Sequence, residues 1–232
     1  MKVYELSSVG KASKIGIHGI TLETREQLKF MNPDDGPNPA PTARQVAADQ
    51  WPGLQVVAKR EHDKKAKPYF LDVVGPGFVV PGCEIAVSDH ARKILEPILE
   101  EQVRFLSLDI VGAPCQYWAL YVTQYYFGEL DQELSRFDEP YSSAKDRRKM
   151  LRAPAFKQSA ILDDLYIFRL PGTLDYVVSD CSYATEKFYE LAKLHNLGGF
   201  SFLNIYYKGF KADPLVGPVL VTSGTKYPVD LD

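Results

Sequence analysis

Ser88, Asp89 and His90 stand side by side, and they are the three residue types of a nucleophilic relay. A serine attacks when a histidine takes its proton and a carboxylate holds the far side of the imidazole. Adjacent residues at a helix start diverge by about 100° each, so these three cannot form that relay among themselves. The triplet suits a helix start instead, where the side-chain oxygen of Ser88 or Asp89 accepts a free backbone N–H of the first turn. The four histidines, His18, His62, His90 and His195, pair with no other His or Cys at metal-ligand spacing. His195 ends an apolar helical stripe, where it meets the helix dipole. The three cysteines, Cys83, Cys115 and Cys181, are an odd and sparse set that reads as reduced thiols. Gly75, Gly77 and Gly82 in "VVGPGFVVPG" have the wrong spacing for a dinucleotide loop and run on into strand. The sequence therefore points to no catalytic residue, no metal ligand and no cofactor.

Charge is the next source of chemistry. The run "GELDQELSRFDEP" carries Glu129, Asp131, Glu133, Asp138 and Glu139. The run "SSAKDRRKMLRAPAFK" carries Lys145, Arg147, Arg148, Lys149, Arg152 and Lys157 against one acid, Asp146. Each run suits a partner of opposite charge, but each reads first as a solvated face, the basic one as a solvated helix or loop. "NPDDGPNPAPT", Asn32 to Thr42, holds four prolines and reads as a surface loop carrying Asp34 and Asp35. The candidate partner-binding residues are Asp34, Asp35, Glu129, Asp131, Asp138, Arg147 and Arg148. A net charge of −3 argues against a general nucleic-acid binder, which needs a basic face. No stretch reaches the ~20 apolar residues of a membrane helix, and "MKVYELSSVG" has no signal-peptide core. The expected setting is the cytoplasm, with no membrane partner.

The elements that must position these residues come in a repeated phrase. "FVVPGCEIAVSD" runs from Phe78 to Asp89, and "FRLPGTLDYVVSD" from Phe168 to Asp180. Each reads as a Pro-Gly turn, a strand and a helix cap, at Ser88 or Asp89 and at Ser179 or Asp180. Ala91, Ile94, Leu95, Ile98 and Leu99 form the first apolar helical stripe, with Pro97 expected to break or kink it near Lys93. Ala184, Phe188, Leu191, Ala192 and His195 form the second, ended by Gly198-Gly199. "VRFLSLDIV" and "FSFLNIYY" are the returning strands, and the second helix is expected to be about one turn longer than the first. "KVYEL", "KIGIHGI", "LQVVAKR", "PYFLDVV", "LDYVV" and "ILDDLYIFRL" read as further strands. The aromatic "QYWALYVTQYYF" reads as a central strand with Tyr117, Tyr121 and Tyr125 on one face.

The fold class is α+β. Two related strand–helix–strand units lie on a mixed or antiparallel sheet, with a Pro-rich N-terminal loop and an extended C-terminal tail. The expected division is 1–112 with the first unit and 113–232 with the second, or one continuous domain.

Three segments taken together carry a family resemblance. "DDLYIFRLPGTLDYVVSDCSYATEKFYELAKLHNLGGFSFLNIY", Asp163 to Tyr206, resembles the C-terminal signature of bacterial immunity family eleven, formerly a domain of unknown function. "ILEPILEEQVRFLSLDI", Ile94 to Ile110, is similar to that family's first helix and strand. "YWALYVTQYYFGELDQELS", Tyr117 to Ser135, is similar to its middle strand and D-x-x-x-S segment, here Asp131 and Ser135. Gly199-Phe200 stands where the family often has Gly-Leu. The resemblance spans Val79 to Tyr206. It implies a non-enzymatic protein of a polymorphic toxin system that binds a cognate toxin domain, such as a nuclease, and neutralises it by occlusion. From the residues alone, a small-ligand or regulatory module using the cleft between the two units stays open. So does an enzyme whose site is assembled from distant segments.

Overall fold

The computed structural model describes residues 2–8, 15–18, 43–60, 69–75, 83, 85–128, 130–139, 148–157, 164–178, 181–207, 210–211, 219–221 and 227–228. The Pro-rich loop and most of the tail lie outside them, as do Asp34, Asp35, Glu129, Arg147, Ser179 and Asp180. Alternating and β-branched runs form the strands β1 (Lys2–Ser8), β2 (Ile15–His18), β3 (Leu54–Arg60), β4 (Tyr69–Phe70), β5 (Val73–Val74), β6 (Ala86–Ser88), β7 (Val103–Val111) and β8 (Tyr117–Val122). Next come β9 (Arg136–Asp138), β10 (Lys149–Ala153), β11 (Ile167–Phe168), β12 (Tyr176–Val178), β13 (Ser182–Thr185) and β14 (Phe200–Tyr207). The short strands β15 (Phe210–Lys211), β16 (Val219–Val221) and β17 (Tyr227–Pro228) complete the set. The helices are α1 (Ala43–Asp49), α2 (Asp89–Leu99) and α3 (Glu186–Leu194). The class is α+β, as the sequence leads one to expect. Helix α1 has no counterpart in the sequence reading.

A first mixed sheet has the order β2-β3-β7-β8-β6-β5, with β3 and β7 parallel and its other pairs antiparallel. A second has the order β11-β13-β1-β14-β15, and β16 pairs along the same edge of β14. A third, smaller sheet is β12-β10-β9. In the first sheet, β6 and β7 both run antiparallel to β8 and are joined through α2. In the second, β13 and β14 both run antiparallel to β1 and are joined through α3. The two segments thus share a split β-α-β topology.

That arrangement corrects the expected alignment of the two phrases. Helix α2 is capped by Ser88, whose Oγ accepts from Ala91 N–H at 3.2 Å, and Asp89 is its first residue. Helix α3 starts at Glu186 with Thr185 at its N-cap, so Ser179 and Asp180 do not cap it. The counterpart of Ser88-Asp89 in this topology is Thr185-Glu186. Ser182–Thr185 is an extra strand between the second phrase and its helix, demanded by pairing with β1. Thr185 Oγ1 makes no cap bond and donates instead to the Leu165 carbonyl at 2.8 Å. The second helix is the shorter, with 9 residues against 11. Pro97 does not break α2 near Lys93. The helix runs unbroken to Leu99, because Pro97 falls in its last turn while Ala91, Leu95 and Leu99 anchor it in the core. Asn196, at φ 53, supplies the left-handed residue after α3, ahead of the two glycines.

The expected division after residue 112 cuts between β7 and β8, which are paired over six register positions from Val103↔Val122 to Leu108↔Tyr117. Strand β1 likewise sits between β13 and β14. The two halves of the chain are therefore interleaved. The core follows the sheets. Tyr117, Ala119 and Tyr121 face one cluster with Ala47 and Ala48 of α1. On the other face, Leu120 and Val122 join Leu95 of α2, Phe188 of α3 and Tyr4, Leu6 and Phe202 of the second sheet. A third cluster lies between the second and third sheets, around Val3, Leu151, Phe156, Phe168 and Tyr183. Each large side chain so buried stabilises the fold by about 1.5–3 kcal/mol.

Candidate partner-binding site

The acidic and basic runs meet on the third sheet, where they are partners to each other. Strand β10 pairs antiparallel with β9 and parallel with β12. Pairing puts Met150 opposite Asp138, and next to it Arg152 Nε donates to Asp138 Oδ2 at 2.6 Å. Lys149 Nζ reaches Glu139 Oε1 at 3.0 Å. Within the basic run, expected as a solvated helix or loop, Lys149–Ala153 is a strand, because its alternation sends Leu151 into the third cluster and Arg152 outward.

At the end of this sheet lies a groove of about 690 Å³, lined by Gln132, Phe137, Glu139, Arg148, Lys149, Leu174, Asp175 and Tyr176. Phe137 and Tyr176 form its aromatic wall, with ring centroids 5.4 Å apart. Burial raises the Tyr176 phenol pKa, and the Asp175 carboxylate adds to the effect. Thr173 shapes the rim. Its Oγ1 accepts from Asp175 N–H at 3.1 Å and Tyr176 N–H at 3.2 Å, and its own N–H donates to the Tyr176 carbonyl at 2.9 Å. This turn leaves Leu174 at its tip, 79% exposed. The strand expected over "LDYVV" is confined to Tyr176–Val178, which leaves Leu174 in the turn ahead of it. The turn chemistry of Thr173 was the signal that could have placed it outside.

Of the candidate partner-binding residues, three are described. Arg148 lines the groove, and its Nη1 donates to the Thr173 carbonyl at 3.0 Å. Asp138 lies on the same sheet in the pair with Arg152. Asp131 is held in a local turn. Its carboxylate accepts from the N–H groups of Glu133 and Leu134, both at 3.0 Å, and so closes the turn before β9. Ser135, its partner in the D-x-x-x-S segment, donates its N–H to the Asp131 carbonyl, and its Oγ accepts from Ala155 N–H at 2.9 Å.

The remaining polar candidates are dispersed. Ser88 is buried, donating to Asp72 Oδ1 at 3.1 Å, while His90 is exposed, so the adjacent triplet is split between core and solvent. His195 is the exposed C-cap of α3. The Cys83 thiol is buried against the carbonyls of Ile85 and Leu120. Among the described residues, no three His, Cys, Asp or Glu side chains gather as a metal-binding group, and no helix is long and apolar enough to cross a membrane. Ile85, Leu120, Phe188 and Phe200, drawn from both strand–helix–strand segments and from β8, belong to one core cluster. No protein-family model matches the chain, and no curated protein matches it.

Proposed function

We propose that the chain is an immunity protein, which binds a cognate bacterial toxin domain in the cytoplasm and neutralises it by occlusion, without chemistry of its own. The observation that carries this reading is the groove on the third sheet. It combines an aromatic wall, an exposed leucine and a rim of charged groups, the composition of an interface anchor point. The similarity of Asp163 to Tyr206 to immunity family eleven supplies the class of partner. The groove lies within that similar stretch and just before it, on β9, β10 and β12.

The test is calorimetry of the purified chain with the domain encoded beside its gene. Protection at low copy number calls for a nanomolar one-to-one complex, about −12 kcal/mol. Absence of heat and of complex at micromolar concentrations would overturn the pairing.

A further inference from the structure

We infer that the groove between β9, β10 and β12 seats an uncharged apolar or aromatic side chain of the partner, held by Leu174, Phe137 and Tyr176. This deepens the immunity reading and rests on it for the partner's identity. The argument begins with charge. The lining holds two acids, Glu139 and Asp175, and two bases, Arg148 and Lys149, so its formal charges cancel. Lys149 is already paired with Glu139 at 3.0 Å, and the adjoining Asp138 is paired with Arg152 at 2.6 Å. Arg148 is directed onto the Thr173 carbonyl. An incoming ion of either sign meets one repulsive group for each attractive one, and has to compete with pairs already formed.

The apolar surface is in the opposite condition. Leu174 is 79% exposed in a turn that two hydrogen bonds to Thr173 Oγ1 hold in place, so covering it orders little chain. The Phe137 and Tyr176 rings, 5.4 Å apart and backed by the third core cluster, give the groove a fixed aromatic side. An uncharged side chain therefore gains apolar contact with Leu174 and the aromatic wall without disturbing the ion pairs at the rim.

Titration of the full chain, labelled with carbon-13 at its leucine methyls, tests this directly. The Leu174 signals are assigned by their loss in Leu174→Val. The probes are p-cresol and indole as aromatic side-chain stand-ins, methylguanidinium as a cation and acetate as an anion. The expected result is a saturable Leu174 shift with p-cresol or indole at about millimolar concentration, the affinity such small ligands reach. A stronger shift with methylguanidinium or acetate, or no shift with any probe, overturns the inference. A second arm compares the parent chain with Leu174→Asp against the neighbouring-gene domain. Loss of about 30-fold or more in affinity, the mark of an anchor residue, supports the inference, and equal affinity overturns it. If p-cresol shifts Leu174 while the domain fails to bind the parent chain, the immunity reading falls and the chemistry of the groove stands.

Discussion

Asp72 and Ser88 are joined twice. Ser88 Oγ donates to Asp72 Oδ1 at 3.1 Å, and Ser88 N–H donates to the Asp72 carbonyl at 2.7 Å. Both residues are fully buried. The other carboxylate oxygen of Asp72 accepts from Gly198 N–H at 3.3 Å, and Val73 N–H donates to the Gly198 carbonyl at 2.9 Å. One carboxylate thus ties the helix start of the first strand–helix–strand segment to the turn that ends the helix of the second. Asp72→Ala leaves Ser88 Oγ and Gly198 N–H without this acceptor in the core, and should cost about 2–4 kcal/mol in urea unfolding. Ser88→Ala also removes the cap of α2, and should cost about 1–2 kcal/mol. The double variant should lose less than the two together, since the shared bond can be lost only once. Strict additivity would show that the two residues act independently.

Gly199 lies at the same junction. Its φ is 108, and a Cβ built there would come within 2.1 Å of the Val73 carbonyl oxygen. Gly53 has a similar backbone demand, φ 77, but open space, with Ser107 Oγ the nearest atom at 4.0 Å. Gly53→Ala should therefore cost only the left-handed strain, about 1–2 kcal/mol. Gly199→Ala must also push the backbone at Val73 away from its own, and should cost clearly more, or prevent folding. Equal thermal midpoints for the two variants would mean that the Val73 carbonyl moves aside freely.

The strands were legible where their pattern was local. "LQVVAKR" and "VRFLSLDIV" are β3 and β7 to the residue, and Tyr117 with Tyr121 do share a face of a central strand, but that strand ends at Val122, so Tyr125 lies beyond it. The Ser88 cap was legible because the hydroxyl, the acid and the apolar stripe are contiguous. What could not be read is the pairing of distant segments. The likeness of the two phrases suggested Ser179 as a cap, but β1 recruits Ser182–Thr185 as a strand and moves the helix start to Glu186. The same limit applies to the groove. Asp138 and Arg152 each looked free for a partner, and only the β9–β10 pairing makes them neutralise each other.

Asp131 holds the turn before β9. Its carboxylate accepts from two backbone N–H groups, those of Glu133 and Leu134. Asp131→Ala removes both bonds and should lower stability by about 1 kcal/mol. Asp131→Asn keeps an acceptor oxygen on the same short side chain, and should recover most of that loss. Denaturant midpoints of the two variants check this. Should Asn be as damaging as Ala, the negative charge itself would be what the site requires.

Glu5 gives the fold a pH dependence of predictable sign. It lies on β1, opposite Tyr183 on one side and Leu203 on the other. Burial raises its carboxyl above the ordinary value of 4.5, and a hydrogen bond with Cys181 offsets some of the rise. From 4.5 up to that raised value, the folded chain keeps a proton that the unfolded chain has lost. The contribution of Glu5 to stability is therefore greatest below this window, declines as pH rises through it, and stays reduced above it. Glu5→Gln removes the titrating group while keeping a polar side chain of similar shape. Its stability should decline less across the window, and it should exceed the parent in stability at about pH 7, read from urea midpoints along a pH series. A variant less stable than the parent at that pH would show that the Glu5 charge is favoured in the folded chain, reversing the sign argued from its burial.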